Sequence, residues 1–575
     1  MNNQEHETDA LVIGGGIAGT FAAIKARESG AKRVLQVCKG NVGKSGCSAF
    51  AAGFFNVPLP TDDLDAMFKD MVRDGGYLRM QDRVQDHLEQ AHLVMKDMMS
   101  YGVDFVRKDS GELERVPGWT RDLGLMFNGP NLMEAMRKAS LEKGVEQVNR
   151  VMVTDFLTHG GRVVGAAGFG VMNGEFHIFK AGVTILASGM CRYKSLPPGQ
   201  RDTTGDGTVA ALRVGATVCD TESDFSLNNS FVAHWDIGPG MNMYVGQGGR
   251  LLNGLGERFM EKYDPIRKDR AIAGMRCLAM GLEVRQGKGP IYMDLTHLDP
   301  EQVGRIKKAL PLASLMHQRA GFLVGDRFVK PIEWMITAPH AQVGLAVDRR
   351  FQSSLPGLFA CGESAAAQAM TKSLGCAATS GVTAGVAAAR YAQEAGEPQI
   401  DRAQVAEIRE RLYQPLQRKD GIEPDQVVLA VQEVVAPYTV LLIRHGERMK
   451  KAIAEVEDIL KNQAPLLLAY DHHYLRMAIE ASSMAKIAEL QLKSALFRTE
   501  SRVALREDYP YTDNVNWLKW INMKQEGEDL KISTEDVPMG RYRFHPERSE
   551  HLHPLWQAAE NIGAINIEKG AVSWA

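Results

Sequence analysis

The sequence predicts an α/β protein with a Rossmann-like dinucleotide-binding domain, an inserted α+β cap domain and a C-terminal helical domain. Three observations support this prediction. A strand, a glycine motif and a helix open the chain, sheet-like segments return after a glycine-rich middle, and a long helical pattern begins near residue 401. The 575 residues are too many for one hydrophobic core, so several structural units are expected.

The first thirty residues contain the most specific signal. Residues 11–13 (Leu-Val-Ile) predict a buried strand, and residues 21–27 predict a helix. Gly14, Gly16 and Gly19 stand between or beside them at G-x-G-x-x-G spacing. In this spacing the glycines permit a tight turn, a close approach of the backbone to a pyrophosphate, and packing of the helix on the strand. The helix N-terminus attracts the phosphates, so the motif predicts a dinucleotide site.

Composition excludes several function classes. The chain is 45% hydrophobic and 24% charged with a net charge of −3, which argues against a general nucleic-acid binder. No apolar run is long enough to span a bilayer, and the polar, acidic first residues lack the core of a signal peptide. We therefore expect a cytoplasmic protein that does not itself cross a membrane.

Cysteine spacing argues against a metal centre on this chain. None of the seven cysteines lies in a C-x-x-C arrangement, which iron–sulfur and structural zinc sites usually show. We expect no metal site, and reduced, mostly buried thiols.

Further segments complete the predicted architecture. The second strand is expected over residues 33–38 and ends at Cys38, where dinucleotide-binding folds often place an acidic residue that holds a ribose hydroxyl. The contact with the ribose hydroxyl is therefore missing or is made by another residue. Residues 404–412 have apolar positions at helix spacing, whereas the polar and aromatic sequence beyond residue 509 predicts a tail that wraps over the body or a partner. Short strands returning to the first sheet are expected at 150–157, 161–168 and 181–188.

Several motifs together resemble the flavoprotein subunits of the succinate dehydrogenase, fumarate reductase and adenylylsulfate reductase superfamily. They follow the family's order over most of the chain, at residues 204–216 (with Thr-Gly-Asp-Gly), 256–263, 289–298, 355–363, 498–502, 506–510 and 516–518. The resemblance implies an FAD-dependent oxidoreductase. Its implied domains are an FAD-binding domain over 1–227 and 337–400, a cap domain over 228–336, a helical domain over 401–508 and a tail over 509–575.

The resemblance also implies which residues hold FAD. Gly14, Gly16 and Gly19 would cradle the pyrophosphate, and Asp206 would lie near the ribityl or adenosine part. Glu363 would accept hydrogen bonds from the ribityl hydroxyls, although a surface glutamate after a tight turn is the alternative.

The flavin loop at Lys44, Ser45 and Gly46 would line the flavin. Gly46 stands where many family members have the histidine that links FAD covalently, and the loop is more similar to the adenylylsulfate reductase branch. We therefore predict noncovalent FAD.

The substrate side matches the family less well. His340, in the segment Thr-Ala-Pro-His of residues 337–340, occupies a substrate-binding position, although a core histidine is the alternative. Ser373 stands about where the family has an arginine, and Lys372 beside it could supply the cation. Arg270 or Arg276 lies near the position of the family's proton-shuttling arginine.

Two function hypotheses remain open. In the first, this flavoprotein is a catalytic subunit that exchanges a hydride with a small anionic substrate, neither plain fumarate or succinate nor adenylylsulfate. A separate iron–sulfur, ferredoxin-like subunit of a hetero-oligomer would exchange the electrons. In the second, the chain is a flavin electron-transfer subunit without its own substrate. An oxidase that uses oxygen directly is a third possibility.

Overall fold

The structure is a computed structural model. It describes residues 3–50, 54–108, 110–116, 124–127, 129–195, 199–220, 228–232, 235–237, 241–336, 340–369 and 373–574. Among these, no helix has both the length and the apolar composition needed to cross a membrane.

A seven-stranded sheet forms the centre of the fold, which confirms the predicted α/β class. Its spatial order is Glu146–Asn149, Val34–Cys38, Asn3–Ile13, Phe176–Leu186, Arg162–Gly170 and Val151–His159, with Leu358–Ala360 also paired to Phe176–Leu186. Arg162–Gly170 and Val151–His159 run antiparallel to their neighbours, and the other five strands are parallel. The carboxyl ends of the five parallel strands therefore meet at one edge, where open α/β sheets place their ligands.

Two helices pack on the sheet at close range. Ile17–Glu28 follows the first strand, and Leu374–Glu394 packs against it. A Cβ on Gly381 would stand 2.3 Å from the backbone oxygen of Ala18. The two helix backbones thus approach more closely than a side chain at this glycine would permit.

Additional elements flank this core. They are the helices Leu64–Asp74, Gln81–Ser100, Gly129–Glu142 and Asp206–Arg213, and a small sheet of Phe54–Asn56, Arg115–Val116 and Gly124–Met126.

The described residues between 228 and 336 form a separate antiparallel sheet with helices around it. Its five strands have the order Trp235–Ile237, Asn228–Val232, Ile332–Ile336, Ile291–Asp294 and Arg250–Leu252. Its helices are Met241–Gly246, Met260–Tyr263, Ala273–Arg285, Pro300–Ala309 and Pro311–Arg319, and a hairpin pairs Leu323–Val324 with Arg327–Phe328. These strands have three to five residues, which is too short for a clear alternation of apolar and polar residues in the sequence.

A helical region follows the return to the central sheet. Its α-helices are Arg402–Gln417, Pro424–Val435, Tyr438–Leu441, Gly446–Asp458 and His472–Phe497. Within the 26-residue last helix, Ala478, Ala481, Met484 and Ile487 are buried among the helices around it.

The C-terminal tail packs on this chain. Its hairpin of Lys519–Glu526 and Asp529–Asp536 extends a sheet that contains Val218–Asp220 and Gly344–Leu345. The helix Pro554–Asn561 buries Trp556 completely in the core formed with residues of 241–336. The tail ends in a hairpin of Ile565–Glu568 and Ala571–Trp574.

Candidate functional site

The glycine motif forms a tight cradle at the end of the first strand. Gly14 has φ of +129°, and a Cβ there would stand 2.1 Å from the backbone oxygen of Ala187. A Cβ on Gly19 would stand 2.3 Å from the backbone oxygen of Gly14. Gly16 begins the helix in an extended conformation without a side-chain cap. The cradle thus fits a dinucleotide, because bare backbone and a helix N-terminus face the same place.

The flavin loop adopts a conformation that its glycine permits. Gly46 has φ of +74°, with open space where a Cβ would stand. Ser45 Oγ donates to the backbone oxygen of Asn41 at 3.1 Å and so closes the turn of the loop. Lys44 is largely exposed and pairs with Glu134, so a surface carboxylate balances its charge.

Asp206 belongs to a cluster of charged residues. Its Oδ1 accepts from Thr204 Oγ1 at 2.6 Å and from Lys39 Nζ at 3.2 Å. Lys39 follows Cys38, so a cation stands one residue beyond the position where many dinucleotide folds have an acid. The cation is also balanced by Glu480, whose Oε1 lies 2.7 Å from Lys39 Nζ.

Glu480 is fully buried and keeps its charge. It contacts Lys39 and Lys194, and Arg476 lies 3.8 Å from its Oε1. Burial alone would raise the pKa of Glu480, but these three cations outweigh it and lower the pKa to about 2.

A second cluster joins the predicted ribityl carboxylate to the predicted substrate histidine. Glu363 follows the strand Leu358–Ala360, and its Oε1 accepts from Arg192 Nη2 at 2.7 Å. Arg192 Nη1 lies 3.4 Å from Nδ1 and 3.5 Å from Nε2 of His340. His340 is fully buried and Arg192 is 5% exposed. The structure therefore brings His340 and Glu363 together through one guanidinium.

Cys47 connects this cluster to the flavin loop. Burial is the largest influence and raises the pKa of the thiol, while the charge of Arg192 lowers it and that of Glu363 raises it further. Cys47 directly follows Gly46, so the end of the flavin loop lies within electrostatic range of Arg192 and Glu363.

The remaining predicted cations belong to the region of residues 241–336 or lie outside the described residues. Arg276 is fully buried, and its Nη1 donates to the backbone oxygens of Asp269, at 3.3 Å, and Ala271. Burial lowers the pKa of Arg276 to about 10. Arg270 is half-buried in the turn Lys268–Arg270 of the same region. Lys372 and residues 337–339 lie outside the described part of the chain.

Ser373 has a structural role. Its Oγ accepts from the backbone N–H of Cys376 at 3.0 Å and caps the helix Leu374–Glu394. The position at which the family resemblance expects an arginine is therefore a helix cap in this chain.

The charges of the C-terminal motif pair with one another. Glu500 is buried between Arg498, at 2.9 Å, and Arg502, at 2.7 Å. Arg498 also donates to the backbone oxygens of Trp517 and Lys519. These contacts make the motif an internal brace between the helical region and the tail.

Sequence reasoning missed Arg192, Lys39 and Glu480. Arg192 and Lys39 follow strands of the parallel sheet at its carboxyl edge, and that position is a signal that could have identified them. Glu480 gave no such signal, because one buried charge on a long helix does not reveal its distant partners.

Comparison with known proteins identifies the family. The FAD binding domain family matches residues 9–379, and the fumarate reductase flavoprotein C-terminal family matches residues 431–551. A fumarate reductase (CoM/CoB) subunit of Methanothermobacter marburgensis is 30% identical over 556 residues, covering 92% of this chain and 99% of that protein.

Solved structures share the fold. A quinol fumarate reductase chain of E. coli superposes with a TM-score of 0.82, 22% identity, and coverage of 94% of this chain and 98% of that one. The adenylylsulfate reductase of Archaeoglobus fulgidus gives a TM-score of 0.81 with the same identity and coverage. The predicted family, FAD cofactor and oxidoreductase class are confirmed. The chain therefore belongs to the FAD-dependent oxidoreductase family that includes the flavoprotein subunits of fumarate reductase and succinate dehydrogenase.

Proposed function

We propose that this chain is a catalytic flavoprotein subunit that exchanges a hydride with a small anionic substrate. The observation that carries the proposal is the buried contact of Arg192 with both His340 and Glu363. Fixed hydrogen-bond donors in a dry site can hold an anion and polarise it, because the low dielectric strengthens their fields.

The chain's residues divide the work between cofactor and substrate. Gly14, Gly16 and Gly19, with the helix N-terminus, hold the pyrophosphate, while Asp206 and the flavin loop border the rest of the cofactor. Glu363 accepts hydrogen bonds from ribityl hydroxyls. FAD, when bound, supplies the acceptor and donor of a hydride. His340 binds the substrate anion beside it.

The proposed substrate differs from the two best-known substrates of the family. Ser373 caps a helix where the resemblance expects the arginine that binds a dicarboxylate. The resemblance to adenylylsulfate reductases would place a histidine at position 383, but this chain has Thr383, whose Oγ1 donates to the backbone oxygen of Thr379 at 3.2 Å. Arg270, Arg276 and Lys372 remain candidates for further cations of the pocket.

We propose that electrons pass through a separate iron–sulfur protein. None of the seven cysteines lies in the C-x-x-C arrangement typical of iron–sulfur sites, and six of them are buried. The Methanothermobacter relative is named as one subunit of its enzyme, which supports a division of labour between chains.

An anion titration tests the proposal. Oxidised holoprotein is titrated anaerobically with malonate, sulfate and fumarate while the flavin absorbance spectrum is recorded. We expect at least one anion to shift the spectrum saturably, since the site lies beside the flavin. A spectrum that none of the three changes would favour the electron-transfer subunit without its own substrate.

A further inference from the structure

We propose that Arg192 is a positioning residue that holds the cofactor-side Glu363 and the substrate-side His340 in one arrangement. The inference rests on the proposed function for the role of His340. It adds a residue that none of the motifs marks, and it states how the two halves of the site are coupled.

The fork of the guanidinium spans both partners. Nη2 donates to Glu363 Oε1 at 2.7 Å, whereas Nη1 lies 3.4 Å from His340 Nδ1. A planar guanidinium can serve two acceptors in fixed directions, which a lysine ammonium on a flexible stem cannot do in the same way. At 5% exposure, Arg192 is shielded from the water that would weaken these contacts.

The contact also restricts the hydrogen-bonding roles at His340. A guanidinium donates hydrogen bonds and accepts none, so a ring nitrogen that bonds to it must be an acceptor. Nη1 lies 3.4 Å from Nδ1 and 3.5 Å from Nε2, so this one N–H group is within reach of either ring nitrogen.

The backbone around Arg192 is fixed from two sides. The Arg192 N–H donates to the backbone oxygen of Thr203 at 2.9 Å, and the Ala341 N–H donates to that of Cys191 at 3.0 Å. Thr203 lies close to Asp206 in sequence, and Ala341 follows His340. The backbone of Cys191 and Arg192 is therefore hydrogen-bonded on one side to Thr203 and on the other to Ala341.

The two residues after Arg192 have strained backbones. Tyr193 and Lys194 have φ of +50° and +52°, a left-handed conformation that costs free energy for residues other than glycine. The helix His472–Phe497 retains both side chains, because Tyr193 OH donates to Gln491 Oε1 at 2.7 Å and Lys194 pairs with Glu480. Strain that a structure maintains in this way is typical of functional sites.

Gln491 closes the arrangement. Its Nε2 donates to the backbone oxygen of His340 at 3.1 Å, while its Oε1 accepts from Tyr193. One side chain of the helix thus holds both the Arg192 segment and the His340 segment. The helical region therefore supports the geometry of the site through the Gln491 side chain.

Two substitutions of Arg192 test the proposal. FAD affinity is measured by fluorescence of released flavin, and anion affinity by the spectral titration with malonate and sulfate. In Arg192→Lys, we expect FAD affinity within about threefold of wild type, while anion affinity falls about tenfold or more because one ammonium cannot span both partners. In Arg192→Gln, we expect both affinities to fall about tenfold, because Glu363 loses a charged partner.

Arg411→Lys is the matched control. Arg411 pairs with the buried Asp155 outside this site, so the same change there should leave both affinities unchanged. Circular dichroism and thermal melting establish that each variant is folded. Should Arg192→Gln misfold, Arg192→Lys alone decides the outcome through its contrast between the two affinities.

The outcomes separate the inference from the proposed function. If wild type responds to an anion and both Arg192 variants match it in FAD and anion affinity, the positioning role is wrong. If wild type responds to no anion, the proposed function fails. In that case an unchanged FAD affinity in Arg192→Gln would also refute the proposal that Arg192 positions Glu363. Equal losses in Arg192→Lys and Arg411→Lys would indicate a general loss of packing and would overturn the inference.

Discussion

The Nζ atom of Lys39 lies 2.7 Å from Oε1 of Glu480, which joins the loop after the second strand to a helix more than four hundred residues later. Lys39 also contacts Asp206, a predicted FAD-binding residue. The fully buried Glu480 thus connects the helical region to Lys39 and, through Lys39, to Asp206.

Replacing Glu480 should therefore affect both stability and cofactor binding. In Glu480→Gln, we expect the free energy of unfolding to fall by about 3–5 kcal/mol, because breaking a buried ion cluster leaves charges without compensation. FAD affinity should also fall, since Lys39 loses the partner that holds it beside Asp206. Denaturant unfolding and flavin fluorescence measure the two effects.

The control for that experiment is Glu489→Gln on the same helix. Glu489 is 7% exposed and pairs with Lys486 and Lys493 of its own helix. We expect a smaller loss of stability and unchanged FAD affinity. Equal FAD affinities in the two variants would contradict the coupling through Glu480.

Stability should decrease as the pH falls below neutral. Burial lowers the pKa of His317 and of His553 to about 4, below the value of about 6.5 in an unfolded chain. The unfolded state therefore binds more protons between these values, and stability is lost as the pH falls through that window. Glu480, with its pKa of about 2, adds stability above about pH 4.3 that is lost on further acidification.

A variant isolates one contribution to this pH dependence. His317 lies edge-on against Phe322 and Phe328, so His317→Phe keeps an aromatic ring there but removes the contact of Nε2 with the Tyr244 hydroxyl at 3.1 Å. We expect its melting temperature to be less sensitive to pH between 6.5 and 4 than that of wild type. If the melting temperatures of the two proteins change identically with pH, burial does not lower the pKa of His317 in the folded state.

Close helix packing should make one glycine irreplaceable. A Cβ on Gly385 would stand 2.4 Å from the backbone oxygen of Ala22, so Gly385→Ala should cost about 1–3 kcal/mol of stability through overpacking. Gly304 lies in the helix Pro300–Ala309 with no atom within 4 Å of its Cβ position, so Gly304→Ala should stabilise by about 0.5–1 kcal/mol. Denaturant unfolding measures the free energy of unfolding of both variants, which should fall for Gly385→Ala and rise for Gly304→Ala. A Gly385→Ala variant that is more stable than wild type would refute the close approach of the two helices.

Removing the His340 side chain should separate substrate chemistry from cofactor binding. We expect His340→Ala to lower turnover strongly while FAD remains bound, because Arg192 and Glu363 still pair. His545, whose Nε2 contacts the backbone oxygen of Tyr542, provides a distant control in His545→Ala. Turnover of His340→Ala at the wild-type rate would remove His340 from the site.

FAD should be released from the protein by acid. Gly46 has no side chain to form a covalent link where other family members have a histidine. After precipitation with trichloroacetic acid, we expect the flavin in the supernatant. Yellow colour and flavin fluorescence that remain with the washed pellet would contradict noncovalent binding.

The sequence could reveal those parts of the fold and site that depend on local spacing. The tight turn at Gly14 and the close helix packing at Gly19 could be predicted because both depend on spacing within six residues. The cofactor role of Glu363 stays a prediction from the motif around it. Arg192 was missed because its partners are more than one hundred residues away, and only the sheet brings His340 and Glu363 to it.

At position 373, the sequence located a residue without revealing its role. The motif resemblance indicated the place but not the role of Ser373, which became clear only from its hydrogen bond to the N–H of Cys376. Likewise, the motif at residues 498–502 gives its charged residues but not the pairing of Arg498 and Arg502 with Glu500, which only the structure shows.

The most direct test of the central claim is anaerobic reoxidation of the reduced flavoprotein. The FAD is first reduced, and its absorbance is then followed after addition of fumarate, adenylylsulfate and a panel of unsaturated or sulfur-containing acids. We predict that one small anion restores the oxidised spectrum rapidly, and that His340→Ala slows this step. Reoxidation by none of these compounds, together with rapid exchange with a ferredoxin-like protein, would contradict the account and indicate an electron-transfer subunit.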